Sequence, residues 1–253
     1  MRRTAWFVIA ALAIGSSPAA GAEPLLAEPL IADLTSHLIA ITTGFTGTNV
    51  VLFGATEGEG DVIVVVRGPE REIVVRRKSR VAGIWLNTDE VTFTGAPSYY
   101  AVFSNEPLEA MAPPAILALH QIGAANLRLG TLERNRSPEE IAAFRTALVR
   151  EQQSQGLFAD GVGRVNFLPG HRLFRTNITF PANVPTGTYH VEVLLVRDRK
   201  VVSAQTTPLV VSQIGIDAEV NEFAERSALI YGIVAVAGAA MAGWLASLPF
   251  RNA

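Results

Sequence analysis

The chain contains no cysteine, which excludes disulfides, thiol catalysis, iron–sulfur clusters and cysteine-ligated zinc. Histidine is nearly as scarce. His37, His120, His171 and His190 never stand at i, i+2 or i, i+4, and no His-Glu-x-x-His pattern occurs, so a sequence-local metal site is not expected. A Gly-x-Ser-x-Gly elbow and a Ser-x-x-Lys set are also missing. The one glycine pair that suggests a phosphate cradle, Gly44-Phe45-Thr46-Gly47, has no lysine and no helix behind it. Neither catalytic residues nor a cofactor are expected, and the chain reads as non-enzymatic.

Charge is sparse as well, at 17% of residues. All 23 acidic residues but only 18 of the 21 basic ones lie between an N-terminal leader and a C-terminal apolar run, giving that part a formal charge of −5. Such a balance argues against nucleic acid as a partner and against a general attraction to anionic lipid.

What the sequence does have is a long apolar run. Ala228 to Leu248 carries no ionisable residue and as a helix spans roughly 31 Å, the thickness of a bilayer's hydrocarbon core. Tyr231 and Trp244 lie towards its two ends, and Arg251 follows it, as the positive-inside tendency expects. Without an ionisable residue the span offers no proton relay or ion path. Ala235, Ala239 and Gly243 recur at every fourth position and would line one face with small side chains, a candidate helix–helix contact. At the other end, Arg2 and Arg3, the apolar core Trp6 to Ile14 and the small residues Ala20-Gly21-Ala22 read as a secretory signal peptide over residues 1–22, too short in its core to be a second anchor. The expected organisation is therefore a signal peptide, an exported domain over 23–216, a juxtamembrane segment over 217–227, a transmembrane helix over 228–248 and a cytoplasmic tail over 249–253.

Within the exported part, short β-rich runs alternate with breaks of Gly, Pro, Asn and Asp. Strands are predicted at His37 to Thr42, Asn49 to Phe53, Asp61 to Arg67, Glu72 to Arg77, Val91 to Thr94 and Tyr99 to Phe103. Val62 to Val66 is continuously apolar, which predicts a central strand covered on both faces. Helices are predicted at Leu108 to Leu119, weakened by Pro113-Pro114, and at Ser137 to Gln153. The second starts with Ser as cap, Pro at the first helical position and Glu140 to close a capping box; Ile141, Phe144 and Leu148 supply its apolar face. Strands return after Gly170, where Phe174, Thr176, Ile178 and Phe180 alternate with polar neighbours. Pro185-Thr186-Gly187 then leads into Tyr189, Val191, Val193 and Leu195. A charged turn at Arg197 to Lys200 separates that strand from the last, Val201 to Ser212.

A Pro-x-Gly turn before Tyr-x-Val-x-Val is common in the penultimate strand of immunoglobulin-like sandwiches. The fold class expected is thus mainly β: one immunoglobulin-like β-sandwich with a helical insertion at about 106–160, followed by the C-terminal transmembrane helix. Two separate small domains are the alternative. The stretch Arg67, Arg71, Arg76, Arg77, Lys78 and Arg80 outweighs Glu70 and Glu72 for a local charge of +4 and leads into Trp85. These seven residues form a candidate patch for an anionic ligand or an acidic partner face; the plainer reading is a solvated edge hairpin whose charges oppose aggregation.

The run Ser36 to Thr48, the following Leu52-Phe53-Gly54, Val65-Val66-Arg67-Gly68-Pro69 and the C-terminal anchor together resemble a family of alphaproteobacterial transmembrane proteins. The resemblance covers nearly the whole mature chain. It implies a Gram-negative inner membrane, with the β-rich domain in the periplasm, and an accessory role beside a membrane permease; it brings no activity and no catalytic residues. The function expected is a membrane-anchored periplasmic interaction module, with a small-solute or anion receptor as the alternative.

Overall fold

The computed structural model describes residues 29–81, 83–133 and 135–214, with isolated helical positions at 232, 233, 236, 237, 239–241 and 244. The expected leader lies outside the described residues, as do Ala235 and Gly243. Ala239 is helical and exposed. Among the described residues no helix is long and apolar enough to cross a membrane.

In chain order the elements are β1 (Leu30–Leu34), β2 (Leu38–Ile41), β3 (Gly47–Thr56), β4 (Asp61–Arg67), β5 (Glu70–Val81), β6 (Ile84–Pro97) and β7 (Tyr100–Ser104). After these come α1 (Leu108–Met111), α2 (Pro114–Leu119), a 3-10 turn (Ala124–Asn126), β8 (Gly130–Thr131) and α3 (Pro138–Ser154). Next are β9 (Phe158–Arg164), β10 (Asn166–Phe167), β11 (Leu173–Pro181), β12 (Gly187–Arg197) and β13 (Lys200–Gln213). The protein is mainly β, as its composition of short apolar runs requires.

Among the described residues these strands form three sheets, in the orders β1-β3-β11-β10, β2-β13-β12-β4-β7-β9 and β5-β6-β8. Strand periodicity explains how they stack. Along β4, Val62, Val64 and Val66 enter one core while Ile63 and Val65 enter another, and all five are fully buried. The first core is shared with Leu52, Ile178, Phe180, Tyr189, Val191 and Val193, so the four- and six-stranded sheets face each other across it. The second fills the opposite face of the six-stranded sheet with Phe93, Tyr100, Leu117, Phe144, Leu148 and Leu194. Successive residues of a strand point to opposite faces, so a strand in the middle layer must be apolar at every position. The continuous run at Val62 to Val66 meets that demand. β11, covered on one side only, shows strict alternation instead, burying Phe174, Thr176, Ile178 and Phe180.

The sequence-predicted strands at Glu72 to Arg77 and Val91 to Thr94 do not join the two facing sheets. They belong to the longer hairpin β5–β6, which with β8 makes a sheet of its own. The helical stretch is likewise more broken than expected: Pro113 and Pro114 divide the first helix into α1 and α2, because a proline ring excludes the preceding residue from helical conformation. α3 follows its sequence closely. Ser137 accepts from the Glu140 amide at 3.2 Å while the Glu140 carboxylate accepts from the Ser137 amide at 3.2 Å, and Phe144 and Leu148 are buried on the sheet side.

The edge at β1 is closed by a side chain. Gln205 Oε1 accepts from the Ala32 amide and Gln205 Nε2 donates to the Ala32 carbonyl, both at 2.8 Å, so an amide from β13 stands in for a neighbouring strand. Ala32 is only 3% exposed, and a buried backbone pair without partners is costly. Gln205→Ala is expected to lose about 2 kcal/mol of stability, checked by urea unfolding. The variant should also self-associate through the opened edge, seen as a concentration-dependent sedimentation coefficient.

Candidate functional site

The β5–β6 hairpin is the element that carries most of the sequence-predicted basic patch. Its root is apolar and packed. Val91 and Phe93 are fully buried in the second core, with Ile73 and Val75 packed against it from the facing strand. The segment before α3 then clamps the hairpin from the side. Arg136 holds the Asp89 carboxylate with both terminal nitrogens, Nη1 reaching Oδ2 at 2.9 Å, and donates from Nη2 to the Glu90 carbonyl at 3.0 Å. The Thr92 amide donates to both oxygens of Glu133, at 3.1 and 3.0 Å. The guanidinium of Arg77 lies 4.6 Å from the Phe144 ring centroid, with Arg136 at 5.5 Å from the same ring, a cation–π arrangement that joins the arm to α3.

Beyond this clamp the hairpin projects. Lys78 pairs in register with Asn87, Arg80 with Trp85 and Val81 with Ile84. Ile84 and Trp85 are about two-thirds exposed and Leu86 about half. Arg76 pairs across the ladder with Glu90 at 3.0 Å. Arg80 donates to the Gly83 carbonyl at 3.3 Å, and the Lys78 ammonium has no hydrogen-bond or ion-pair partner among the described residues.

The structure therefore brings Arg76, Arg77, Lys78, Arg80 and Trp85 onto one arm. Arg71 stays at the root, where it reaches the Thr186 carbonyl at 3.4 Å. Arg67 stands apart. It ends β4, and its Nη1 donates to Glu192 Oε2 at 2.7 Å while its Nη2 donates to the His120 carbonyl. His120 Nδ1 lies 3.5 Å from the other Glu192 oxygen. Beside them, the Tyr100 hydroxyl donates to the Gln121 carbonyl and accepts from the Gly123 amide, both at 2.7 Å; burial pushes its pKa up to about 12. This cluster pins the loop after α2 to the end of the sheet. Glu192 and Tyr100 were not legible as neighbours of Arg67, since β12 and β7 meet β4 only in the folded sheet.

The Arg136 guanidinium holds the Asp89 carboxyl below the usual carboxylate range, and the Thr92 amide does the same for Glu133. A carboxyl whose folded pKa is depressed contributes stability above its unfolded pKa and loses it as pH falls through the folded value. The clamp should accordingly loosen in acid, below about pH 4. Limited proteolysis of the arm is expected to accelerate there, and the D89N/E133Q variant should cut at a pH-independent rate over the same range.

Concave surfaces lie elsewhere among the described residues. An open polar cleft of about 720 Å³ at the β4 start, the sheet end away from Arg67, is lined by Asn105, Glu106, Arg164, Phe167 and His171. On the outer face of the four-stranded sheet, Ile31, Phe53, Leu168 and Leu173 surround an apolar hollow of about 420 Å³. Among the described residues no group of three His, Asp or Glu side chains is placed to hold a metal ion.

A family model described as "Putative transmembrane protein (Alph_Pro_TM)" matches residues 29–252. No curated protein matches the chain.

Proposed function

Because the chain belongs to this alphaproteobacterial transmembrane protein family, we propose that it is a non-enzymatic accessory module, anchored in the inner membrane by one C-terminal span and presenting an immunoglobulin-like sandwich in the periplasm beside a membrane partner such as a permease. Support for the fold reading comes from strand order. The order β1-β3-β11-β10 corresponds to strands A, B, E and D of that fold, and β13-β12-β4-β7 to G, F, C and C′. The Tyr189 hydroxyl donates to the Pro185 carbonyl at 2.6 Å, four residues upstream at the start of β12, the arrangement of a tyrosine corner. On this reading the β5–β6 arm is an insertion between C and C′, and the helical stretch follows C′.

The observation that carries the functional reading is the placement of the arm's root. β12 starts beside the end of β13 (Gly187 with Val211), and His190 pairs with Arg67. The chain therefore leaves β13 towards the apolar run at the same sheet end from which Gly68-Pro69 leads into the arm. A partner in the same membrane meets that end first.

Crosslinking and affinity purification from native membranes test this, using the full chain, a chain whose residues 228–248 are replaced by an unrelated span, and a chain whose residues 78–87 are replaced by a two-residue Asn-Gly turn. A specific membrane protein recovered with the first two and lost with the third is expected. Recovery only with the native span moves recognition to the Ala235, Ala239 and Gly243 face, and recovery with none of the three overturns the accessory reading.

A further inference from the structure

We propose that the tip of the β5–β6 arm is a bilayer-interface probe, which inserts Ile84, Trp85 and Leu86 among anionic phospholipid headgroups while Lys78 and Arg80, with Arg76 and Arg77 behind them, contact the phosphates. This deepens the accessory reading and rests on its anchored topology.

The first argument is the shape of the apolar surface. Ile84, Trp85 and Leu86 are consecutive in one strand of a two-stranded ribbon, so Ile84 and Leu86 point to one face and Trp85 to the other. A protein groove takes one face of a ribbon and leaves the other in water. A lipid interface surrounds the ribbon on both sides and removes all three side chains from water together. Tryptophan is also the side chain with the strongest preference for the headgroup boundary, where its ring is half-solvated.

Charge supplies the second argument. From Ile73 to Thr88 the arm holds Arg76, Arg77, Lys78 and Arg80 and no acidic residue, although the exported part as a whole is negative. Lys78 and Arg80 have no carboxylate partner among the described residues and lie on the tip side of the Arg76–Glu90 pair. Cations placed just behind an apolar tip are complementary to phosphates above an acyl region, and their stems lie along the apolar boundary. The overall negative charge then keeps the rest of the domain off the same surface, so attraction is confined to the arm.

Reach is the third. Between the last packed pair, Val75 with Val91, and the turn, the ladder extends about 20 Å. The segment from Ile214 to Ala228 spans at most about 50 Å, enough for the domain to turn its arm to the bilayer. The tether keeps the tip at a high effective concentration of lipid, so weak affinity per residue suffices.

The test uses the full chain carrying Trp6→Phe and Trp244→Phe, so that Trp85 alone reports, reconstituted into nanodiscs of phosphatidylcholine with or without one-third phosphatidylglycerol. With phosphatidylglycerol present, Trp85 emission is expected to shift to the blue and to be quenched about twofold by lipids brominated near the headgroup, as for a ring at the interface. Lys78→Glu and Arg80→Glu should each lower the inserted fraction by about fivefold or more. Water-like, unquenched Trp85 emission in both bilayers overturns the proposal. A blue shift that appears only when solubilised membrane proteins are added also overturns it, in favour of a protein groove. The accessory reading has its own readout in partner recovery, so loss of one result leaves the other standing.

Discussion

Truncating Phe93 to alanine is expected to cost about 3–5 kcal/mol, the range for a fully buried phenylalanine. Phe93 has no exposed surface and sits where β6 enters the second core. Ile73 faces it across the ladder and Thr131 of β8 pairs with it on the other side. The lost ring leaves a void that few neighbours can fill, since Ile63 and Val65 are fixed by the central strand and Phe144 and Leu148 by α3. Urea unfolding of the full chain in detergent, followed by far-ultraviolet circular dichroism, measures the cost. A second consequence separates this site from an ordinary core position: the arm should undock from the sheet and become sensitive to protease between Val75 and Val91, at denaturant concentrations where the facing sheets are still folded. A loss under about 1.5 kcal/mol with an unchanged cleavage pattern would show that the arm's root contributes little to the fold.

Local signals carried much of the architecture, and their failures have identifiable causes. The five apolar residues of β4 foretold its double coverage, and Ser137 with Glu140 foretold the start of α3, because strand period and helix capping are set by neighbours in sequence. β11 and β12 were legible for the same reason. β9 was not: its sequence Phe-Ala-Asp-Gly-Val-Gly-Arg holds two glycines and has little β propensity. It is a strand because it pairs parallel with β7, and Gly163 is admitted where the Phe103 ring leaves no room for a Cβ. β1 was missed as well, a short strand whose outer edge is satisfied by Gln205 from a distant part of the chain. The candidate patch shows the same division. Arg76, Arg77, Lys78, Arg80 and Trp85 were grouped by sequence and remain together because one hairpin carries them. Arg67 was grouped with them by proximity alone, and the turn at Gly68-Pro69 sends it to the sheet's end, where its partner Glu192 comes from β12.

Removing that partner is the other substitution with a large expected effect. Glu192→Ala should destabilise the protein by about 2–4 kcal/mol, below the top of the range for a broken buried pair because both side chains keep roughly a fifth of their surface exposed (23% for Arg67, 17% for Glu192). The cost falls mainly on what is left behind. Arg67 Nε is already buried without a hydrogen-bond partner among the described residues, and without Glu192 the guanidinium retains only the His120 carbonyl. Its charge would then stand beside the Tyr100 hydroxyl without a counter-ion. A double variant distinguishes this account from a simple loss of attraction. If uncompensated burial of Arg67 dominates, Arg67→Met combined with Glu192→Leu should recover most of the loss, since desolvation then disappears with both charges. If the pair's attraction dominates, the double variant should be no more stable than Glu192→Ala. Amide exchange at Gly123 gives a local reading of the same event. Its hydrogen bond to Tyr100 depends on the loop being pinned by the His120 carbonyl, so exchange there should quicken in Glu192→Ala and return towards the native rate only where the double variant restores the packing of the loop.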